Sequence, residues 1–507
     1  MDIFNNSASC FKPLDAISQI FDFDRMLGLA RECGLVIRNR KIKPLLVLKA
    51  FLELGEGCRH ISMSAAWRRY SFLCGLSGAP QVSAGAFIRF MGRGRFQKFL
   101  EALAGEAVMR LGDKPFSDTA GAVEALAARL GGLRDIIAQD GTETAANPQA
   151  ARKAPEAFKS RDGAAAVKMH AAWSLEKSRL DASSFTSAVS SERDEIQFQK
   201  LNGRLILCDS GYPSVKLLEK LSDQGVLFLL KMQSSIKPSV LKCTPFAGGR
   251  YGKAMDLGGE RIKLKDDPRL GGQRSYDCVV SYARKGRAPL VLRVVKVFNP
   301  HFCGLSSSRA LEGHEELAPL EGYCYLITNI PATQLDADQL YALYRLRWNA
   351  ERQFMALKSG CGFNAGKAVG EEAVRNLLRL GTAAHALKSA LAGAFSSLLG
   401  GRELSLLKVA ADSGRLVNAM IDRALGVPCA AARLPEPDFE RLMLDAYGRL
   451  GISRLSASNR ALGKSVGCTV QELRRPPSPG GLLNPLNLDH LSMCFDHLSA
   501  GFEQQQL

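Results

Sequence analysis

The sequence predicts an α/β protein whose central sheet is flanked by helical N-terminal and C-terminal regions. Residues 203–232, GRLILCDSGYPSVKLLEKLSDQGVLFLLKM, have the pattern of a strand, a turn, an amphipathic helix and a second strand. This is a β-α-β unit, which predicts parallel neighbours in one sheet. Residues 14 to about 125, and the chain from about residue 400 on, carry apolar residues at helical spacing instead.

Length and charge narrow the class of protein. At 507 residues the chain is too long for one ordinary core, and about two to four domains are expected. The net charge of +17 and pI near 9.4 predict attraction to nucleic acid or to anionic surfaces. No apolar run reaches the ~18–20 residues of a membrane span. The N-terminus lacks a basic stretch followed by an apolar one, so we expect no secretory signal.

Cysteine and histidine patterns do not favour a zinc site. The chain has 13 cysteines and 7 histidines, with no CxxC pair and no HExxH motif. Scattered cysteines with mostly apolar neighbours predict reduced, buried side chains.

The N-terminal helical region, residues 1–128, is rich in basic residues. They cluster at Arg38, Arg40, Lys41, Lys43, Arg68, Arg69, Arg89, Arg93, Arg95 and Lys98. Short helices with basic turns are compatible with a DNA-binding unit of the helix-turn-helix kind. A helical bundle with an incidentally basic surface remains the alternative.

Two predicted strands each stop on an aspartate. IIAQD ends at Asp140 before Gly-Thr, and LILCD ends at Asp209 before Ser-Gly-Tyr. The carboxyl edge of a sheet is where α/β folds usually bind ligands. An aspartate that merely caps a turn is the simpler explanation for either one alone.

The stretch from 231 to 300 is glycine-rich, β-like and basic. It holds 15 Lys or Arg against 5 Asp or Glu, so +10 of the total charge of +17 lies here. Turn residues at short intervals predict antiparallel strands. Such a basic β insertion is suited to following a phosphate backbone.

Residues 344–358, YRLRWNAERQFMALK, are expected to form one helix. At about 100° per residue, one stripe roughly 60° wide holds four polar side chains, and Trp348 borders it. The four are Tyr344, Arg347, Glu351 and Lys358. The alternative is a solvated face with weak ion pairs of ~0.2–0.5 kcal/mol each.

Together these residues predict a metal-dependent phosphodiester site. Asp140, Asp209 and Glu351 would form an oxygen-only pocket that suits Mg²⁺ or Mn²⁺. Two such ions activate a nucleophile and stabilise the leaving oxygen. Phosphates would be held by the cations of the stripe, and Trp348 would stack on an unpaired base.

The spacing Tyr344-x2-Arg347-x3-Glu351-x6-Lys358 matches the Y-R-E-K signature of IS4-family bacterial insertion-sequence transposases. DGT at Asp140 resembles the first acidic motif of that family, and CDSGYPS at Asp209 resembles the second. The resemblance covers roughly residues 25 to 400. One departure concerns a second aromatic residue expected in the strand before the helix, where this chain has Tyr323 and Tyr325 but no tryptophan.

This resemblance implies an RNase H-like α/β catalytic core that is interrupted by a β-rich insertion. It divides the chain into a helical DNA-binding region, the first part of the core, the basic insertion, the second part of the core, and a helical C-terminal region with a tail. The expected bounds are 1–128, 129–231, 232–320, 321–400 and 401–507.

The resemblance also implies roles for single residues. Asp140, Asp209 and Glu351 would be the DDE triad and would bind two Mg²⁺ ions, for which Mn²⁺ can substitute. The other implied contacts are to DNA. Tyr344, Arg347 and Lys358 would bind phosphates, Trp348 would stack on a flipped base, and Lys231 would be a basic DNA contact.

The implied activity is cut-and-paste transposition, with hairpin formation on the element's ends. The expected partners are double-stranded DNA, as terminal inverted repeats and target, and a second copy in a homodimeric synaptic complex. No membrane is involved, and the expected location is the bacterial cytoplasm, at the nucleoid. Two alternatives are a catalytically silent DNA-binding protein or repressor, and a metal-dependent nuclease without strand transfer. His170, within an apolar strand, is expected to be a core residue rather than a general base.

Overall fold

The computed structural model describes residues 12–36, 41–54, 61–112, 119–232, 237–247, 250–262, 264, 268–270, 275–298, 323–364, 366–427, 430–431, 433–451 and 470–476. Several parts of the sequence predictions lie outside these residues, among them Arg38 and Arg40, residues 299–320 of the expected insertion, and the tail from residue 477.

In the described residues, seven helices precede strand β1 (Asp135–Ala145). They are α1 (Lys12–Ile20), α2 (Phe23–Glu32), α3 (Pro44–Leu54), α4 (Met63–Leu76), α5 (Ala84–Met91), α6 (Phe96–Leu111) and α7 (Ala120–Ala127). Side-chain caps set three of their starts, because Asp22, Ser62 and Ser83 each accept a hydrogen bond from the first turn of the following helix.

The α/β prediction is confirmed by a mixed sheet that contains all eleven described strands. Their order is β3-β2-β1-β4-β5-β11-β10-β9-β6-β7, and β8 pairs with β6. The strands are β1 (Asp135–Ala145), β2 (Ala166–Ser174), β3 (Arg179–Ser187), β4 (Arg204–Cys208), β5 (Leu227–Lys231), β6 (Ser239–Ala247), β7 (Arg250–Tyr251), β8 (Met255–Arg261), β9 (Ser275–Arg284), β10 (Arg287–Phe298) and β11 (Tyr323–Thr328). Among the pairings of these described strands, only β1–β4 and β4–β5 are parallel.

Strands β6 to β10 extend the same sheet instead of forming a separate one. β11 pairs with β5 on one side and with β10 on the other, so the strands between β5 and β11 in sequence lie beyond β11 in space. Their core holds a buried pair, in which Arg293 Nη2 lies 2.5 Å from Asp277 Oδ2. Cys243 and Cys278, directly opposite on β6 and β9, form a disulfide. The expectation that all cysteines are reduced is therefore wrong for this pair.

Helices cover both faces of the sheet. The helix α9 (Val215–Asp223) buries three leucines against one face, where they join Ile206 and Phe228. The opposite face packs against α10 (Ala337–Arg345), α11 (Trp348–Gly360) and α12 (Glu371–Leu398). The short helix α8 (Pro148–Lys153) follows β1, and α13 (Leu406–Ala424) and α14 (Glu436–Arg449) follow α12. Because side chains alternate along each strand, neighbouring residues belong to different faces.

The N-terminal helices join this second layer. α6 and α13 both pack against α12, the longest described helix. Asn376, fully buried on α12, donates to the backbone carbonyls of Met91 and Arg93 at 2.7 and 3.0 Å. Across the described part of the chain, none of the helices has both the length and the apolar character needed to cross a membrane.

Two details of the sequence predictions need correction. β1 does not stop at Asp140 but continues to Ala145, because β2 pairs with it along its whole second half. The expected single helix at 344–358 is two helices, α10 and α11, separated at Leu346 and Arg347. At this junction the backbone amides of Leu346 and Arg347 donate to carbonyls three residues back, at 3.1 and 3.0 Å, so the chain tightens into a 3₁₀-like turn.

Candidate active site

The two aspartates lie side by side where β4 ends. β1 and β4 are parallel, and their last paired residues are Gln139 and Cys208. Asp140 and Asp209 are the next residues on the two strands, so both lie at the same edge of the parallel part of the sheet. Asp140 therefore lies at this edge because the neighbouring strand β4 ends there, although its own strand β1 continues.

Each aspartate is anchored by the backbone that follows it. Asp140 Oδ1 accepts from the amide of Gly141 at 2.8 Å, and Asp209 Oδ1 accepts from the amide of Ser210 at 2.6 Å. These local bonds hold the carboxylates in fixed directions and leave the other oxygen of each free of the main chain.

The junction between α10 and α11 brings Glu351 to the same edge. Glu351 lies in the first turn of α11, and its Oε1 accepts from Arg347 Nη2 at 2.6 Å. Arg347 Nη1 lies 3.3 Å from Asp140 Oδ2, across 207 residues of sequence. One guanidinium therefore joins two of the three predicted acidic residues.

The third acidic residue is reached by Tyr344, at the end of α10. Its hydroxyl donates to Asp209 Oδ1 at 3.5 Å, which is a long bond. The Arg347 guanidinium lies 5.8 Å from the centroid of the Tyr344 ring. Tyr344 and Arg347 therefore form one polar bridge between the helices and the strand edge.

Burial changes the acid-base behaviour of this group. It raises the pKa of Asp140 to about 7; Arg347 opposes the shift, and Glu351 and Asp209 add to it. Burial also raises the pKa of Glu351, and Arg347 again lowers it. The pKa of Arg347 is lowered by burial, but the acidic groups around it outweigh this effect and the net shift is upward. The single charge of the Arg347 guanidinium therefore does not neutralise the three carboxylates of the site.

The remaining predicted DNA-binding residues surround this group. Lys358 lies near the end of α11 with its side chain exposed. Partial desolvation by the surrounding protein lowers its pKa, and the charge of Glu143 opposes this shift. Lys231 ends β5 and lies close enough to Glu351 for its charge to lower the pKa of that carboxyl. Trp348 is half-buried at the first position of α11.

The strand before the helices presents a cysteine to this face. Tyr325 is buried on the α9 side of the sheet, where its hydroxyl donates to the carbonyl of Leu264. Cys324 faces the other side, where burial raises its pKa to about 11 and the nearby charges of Lys231 and Arg347 oppose that shift. The side chain of Tyr323 lies outside the described residues. Tyr325 is thus excluded as a platform for a base at this site.

Sequence reasoning missed a short 3₁₀ helix, Glu192–Glu195, which packs against the segments that follow both aspartates. Arg193 donates through Nε and Nη2 to the carbonyl of Gly211, at 3.1 and 3.0 Å. Glu192 lies against Gly141 and forms an ion pair with the buried Lys168, at 3.4 Å. In the sequence, only Gly141 and Gly211 indicated that another segment packs here, because a residue without a Cβ permits close contact.

His170 is confirmed as a buried strand residue. It pairs with Gly141 across β1 and β2, and its Nε2 lies 2.7 Å from the hydroxyl of Thr186. Burial lowers its pKa, and its side chain lies on the α9 side of the sheet, away from Arg347.

The donor chemistry of the site fits a hard divalent cation. Asp140, Asp209 and Glu351 offer carboxylate oxygens only, which Mg²⁺ and Mn²⁺ prefer. Within the described ranges no three His, Cys, Asp or Glu side chains are grouped closely enough to hold a metal ion. In this geometry the Arg347 guanidinium supplies the positive charge between Asp140 and Glu351.

A comparison with protein families finds a match over the part of the chain that holds the candidate site. Residues 131–387 match the family model described as the transposase DDE domain, which spans about half of the chain. All eight residues singled out for catalysis or DNA contact fall within the matched range. A search of curated proteins gives no match to the chain.

Proposed function

The chain belongs to the transposase DDE-domain family, and we propose that it is a cut-and-paste transposase of the IS4 type. The observation that carries this proposal is the bridge made by Tyr344 and Arg347. Through it, side chains from β1, the end of β4 and the start of α11 converge on one edge of the sheet. The same two residues belong to the Y-R-E-K spacing.

In this proposal Asp140, Asp209 and Glu351 are the catalytic triad and the ligands of two Mg²⁺ ions, with Mn²⁺ as a substitute. The ions would supply activation of the attacking oxygen and stabilisation of the leaving one. Water attacks a phosphodiester at the element's end and leaves a 3′-hydroxyl. That hydroxyl then attacks a phosphodiester of the target, so cleavage and joining use the same site.

The cations around the triad would hold the DNA. Lys358, exposed on α11, and Lys231, at the end of β5, would contact phosphates that enter beside the carboxylates. Arg347 and Tyr344 would contact phosphates once released from the carboxylates. Trp348 would stack on a flipped base if the ends pass through a hairpin. Because Tyr325 is buried on the other face, Trp348 would do this without Tyr325 as a partner.

The wider assignment follows from the same proposal. The core of 129–231 and 321–400 would be RNase H-like, with 232–320 as the basic insertion, 1–128 as the DNA-binding region and 401–507 as the C-terminal region. Two element ends must be held together, so a homodimer on terminal inverted repeats is proposed. Its DNA substrate would place it in the bacterial cytoplasm, at the nucleoid.

A supercoiled plasmid that carries the element's own ends tests the proposal. Wild type is incubated with Mg²⁺ or Mn²⁺ beside Glu351→Gln, and Glu371→Gln serves as a control for loss of a carboxylate on the neighbouring helix α12. Cuts at the ends by wild type and Glu371→Gln, but not by Glu351→Gln, support the triad. End binding without cuts would favour the silent DNA binder, and cuts without joined products would favour a nuclease.

A further inference from the structure

The guanidinium of Arg347 lies between Asp140 and Glu351 at the candidate active site. We propose that Arg347 is a displaceable counter-ion, which must leave Asp140 and Glu351 before these carboxylates can bind a divalent cation. This inference rests on the proposed function, because it concerns the ions that the triad would bind. It assigns Arg347 a role before the DNA contact expected of it.

The contacts place Arg347 in direct competition with a metal ion. Its Nη1 and Nη2 take one oxygen each from Asp140 and Glu351, at 3.3 and 2.6 Å. The Arg347 side chain is 12% exposed and that of Asp140 17% exposed. Solvent therefore screens the attraction only in part, and a cation that enters between the carboxylates meets a charge of its own sign.

A second arginine in the same protein shows what a permanent buried pair looks like. Arg293 uses Nε and Nη2 to bind both oxygens of Asp277, at 2.8 and 2.5 Å. Its Nη1 donates to the carbonyls of Ile330 and Leu335. The guanidinium is thus bound on all sides, as a structural ion pair requires.

The guanidinium of Arg347 makes fewer hydrogen bonds than that of Arg293 among the described residues. Its Nε is buried and has no hydrogen-bond partner among the described residues. Its two carboxylate bonds use one oxygen of each acid, and no backbone carbonyl is bonded to it among the described contacts. A buried donor without a partner is costly, so the closed arrangement is less favourable than that of Arg293. It is therefore suited to exchange.

The position of Arg347 in the chain allows the exchange. It lies at the junction of α10 and α11, with its guanidinium 5.8 Å from the centroid of the Tyr344 ring and exposed Lys358 about three turns further on. A phosphate beside Lys358 would attract the same guanidinium. Binding of DNA and loading of metal would then favour each other, because both remove Arg347 from the carboxylates.

Titration of the DNA-free protein with Mn²⁺ in a calorimeter tests this inference. Wild type is compared with Arg347→Gln and Arg347→Lys at about pH 8.5, where the carboxylates are ionised. Arg352→Gln is the matched control, since Arg352 lies on the same helix and donates to Asn349 rather than to the triad. Glu351→Gln reports whether the ion binds at the triad. Thermal melts without metal establish that each variant is folded.

Arg347→Gln is expected to bind Mn²⁺ roughly tenfold more tightly than wild type, and Arg347→Lys to fall between the two, since lysine cannot bridge both acids. Arg352→Gln should match wild type and Glu351→Gln should bind most weakly. Equal or weaker binding by Arg347→Gln, with binding still lost in Glu351→Gln, overturns the counter-ion role and leaves the proposed function intact. Unchanged binding in Glu351→Gln overturns both.

Discussion

Glu192 lies directly against Gly141, with its Oε1 2.8 Å from the point that a Cβ at position 141 would occupy. Gly141 immediately follows Asp140, and Glu192 is held from behind by Lys168 at 3.4 Å. The glycine of the DGT motif therefore permits the close approach of a carboxylate. The turn that contains Glu192 thereby limits how the strand carrying Asp140 can move.

Gly141→Ala should destabilise the protein and slow cleavage. The new methyl group pushes Glu192 away and weakens its pair with Lys168, which we expect to cost on the order of 1 kcal/mol. Displacement of the neighbouring Asp140 should reduce the cleavage rate roughly tenfold or more. Urea unfolding and single-turnover cleavage measure the two effects.

Gly211→Ala is the control, because a Cβ there would be 3.8 Å from Glu192 Oε2, an ordinary contact. Truncation of Glu192 in the double variant Gly141→Ala/Glu192→Ala should restore part of the loss. If the double variant is as impaired as the sum of the single ones, contact between these two residues is not the cause.

The metal-free protein should lose stability as the pH rises from about 4 to about 7. The pKa of Asp140 is 3.8 ordinarily and about 7 in the folded protein, mainly because of burial. In that window the folded state holds a proton that the unfolded chain has released, so rising pH favours unfolding. Asp140→Asn removes this contribution. Between about pH 5 and pH 8, the free energy of unfolding of this variant should therefore fall by roughly 1–3 kcal/mol less than that of wild type.

Urea unfolding in EDTA at the two pH values measures this difference. Glu351, whose pKa is also raised, keeps part of the pH dependence in Asp140→Asn. Parallel loss of stability in wild type and Asp140→Asn would show that Asp140 is ionised throughout the window.

Local patterns were enough to predict the β-α-β unit and the position of Asp209 at the end of its strand, since an apolar strand, a turn and an amphipathic helix are adjacent in sequence. The Y-R-E-K stripe also survives the break between α10 and α11. Leu346 and Arg347 keep right-handed helical dihedrals, with φ of −64° and −53°, so the side chains after the turn stay near their helical directions.

Pairing between distant segments was not predictable from such patterns. β1 passes Asp140 because β2 pairs with it as far as Ala145, and nothing within β1 itself specifies that partner. The Cys243–Cys278 bond depends on which strand lies beside β6. Closure of Arg347 onto Asp140 likewise depends on how α10 and α11 pack on the sheet, so spacing alone predicted a phosphate contact and not a carboxylate one.

Asp277→Ala should destabilise the protein strongly. It leaves the buried guanidinium of Arg293 without its carboxylate, a change that typically costs about 3–5 kcal/mol. Arg287→Ala is the control, because its pair with Asp223 is exposed to solvent and should contribute little to stability. Urea unfolding measures the loss in free energy of unfolding for both variants. If both losses are small and similar, water reaches the guanidinium of Arg293.

Lys358→Gln should weaken DNA binding in a salt-dependent way. Each phosphate contact adds close to one unit to the slope of log affinity against log salt, so loss of Lys358 should reduce that slope by about 1. Fluorescence anisotropy with an end duplex, over a range of salt concentrations, measures the slope.

The control is Lys220→Gln. Lys220 lies on α9, on the opposite face of the sheet, with its Nζ 3.6 Å from the centroid of the Phe198 ring. Lys220→Gln removes the same charge from the protein as Lys358→Gln does. A general loss of positive potential would therefore lower the salt slopes of both variants alike. A smaller slope in Lys358→Gln alone supports a phosphate contact at the end of α11. Equal slopes in Lys358→Gln and wild type would show that DNA enters the site from another side.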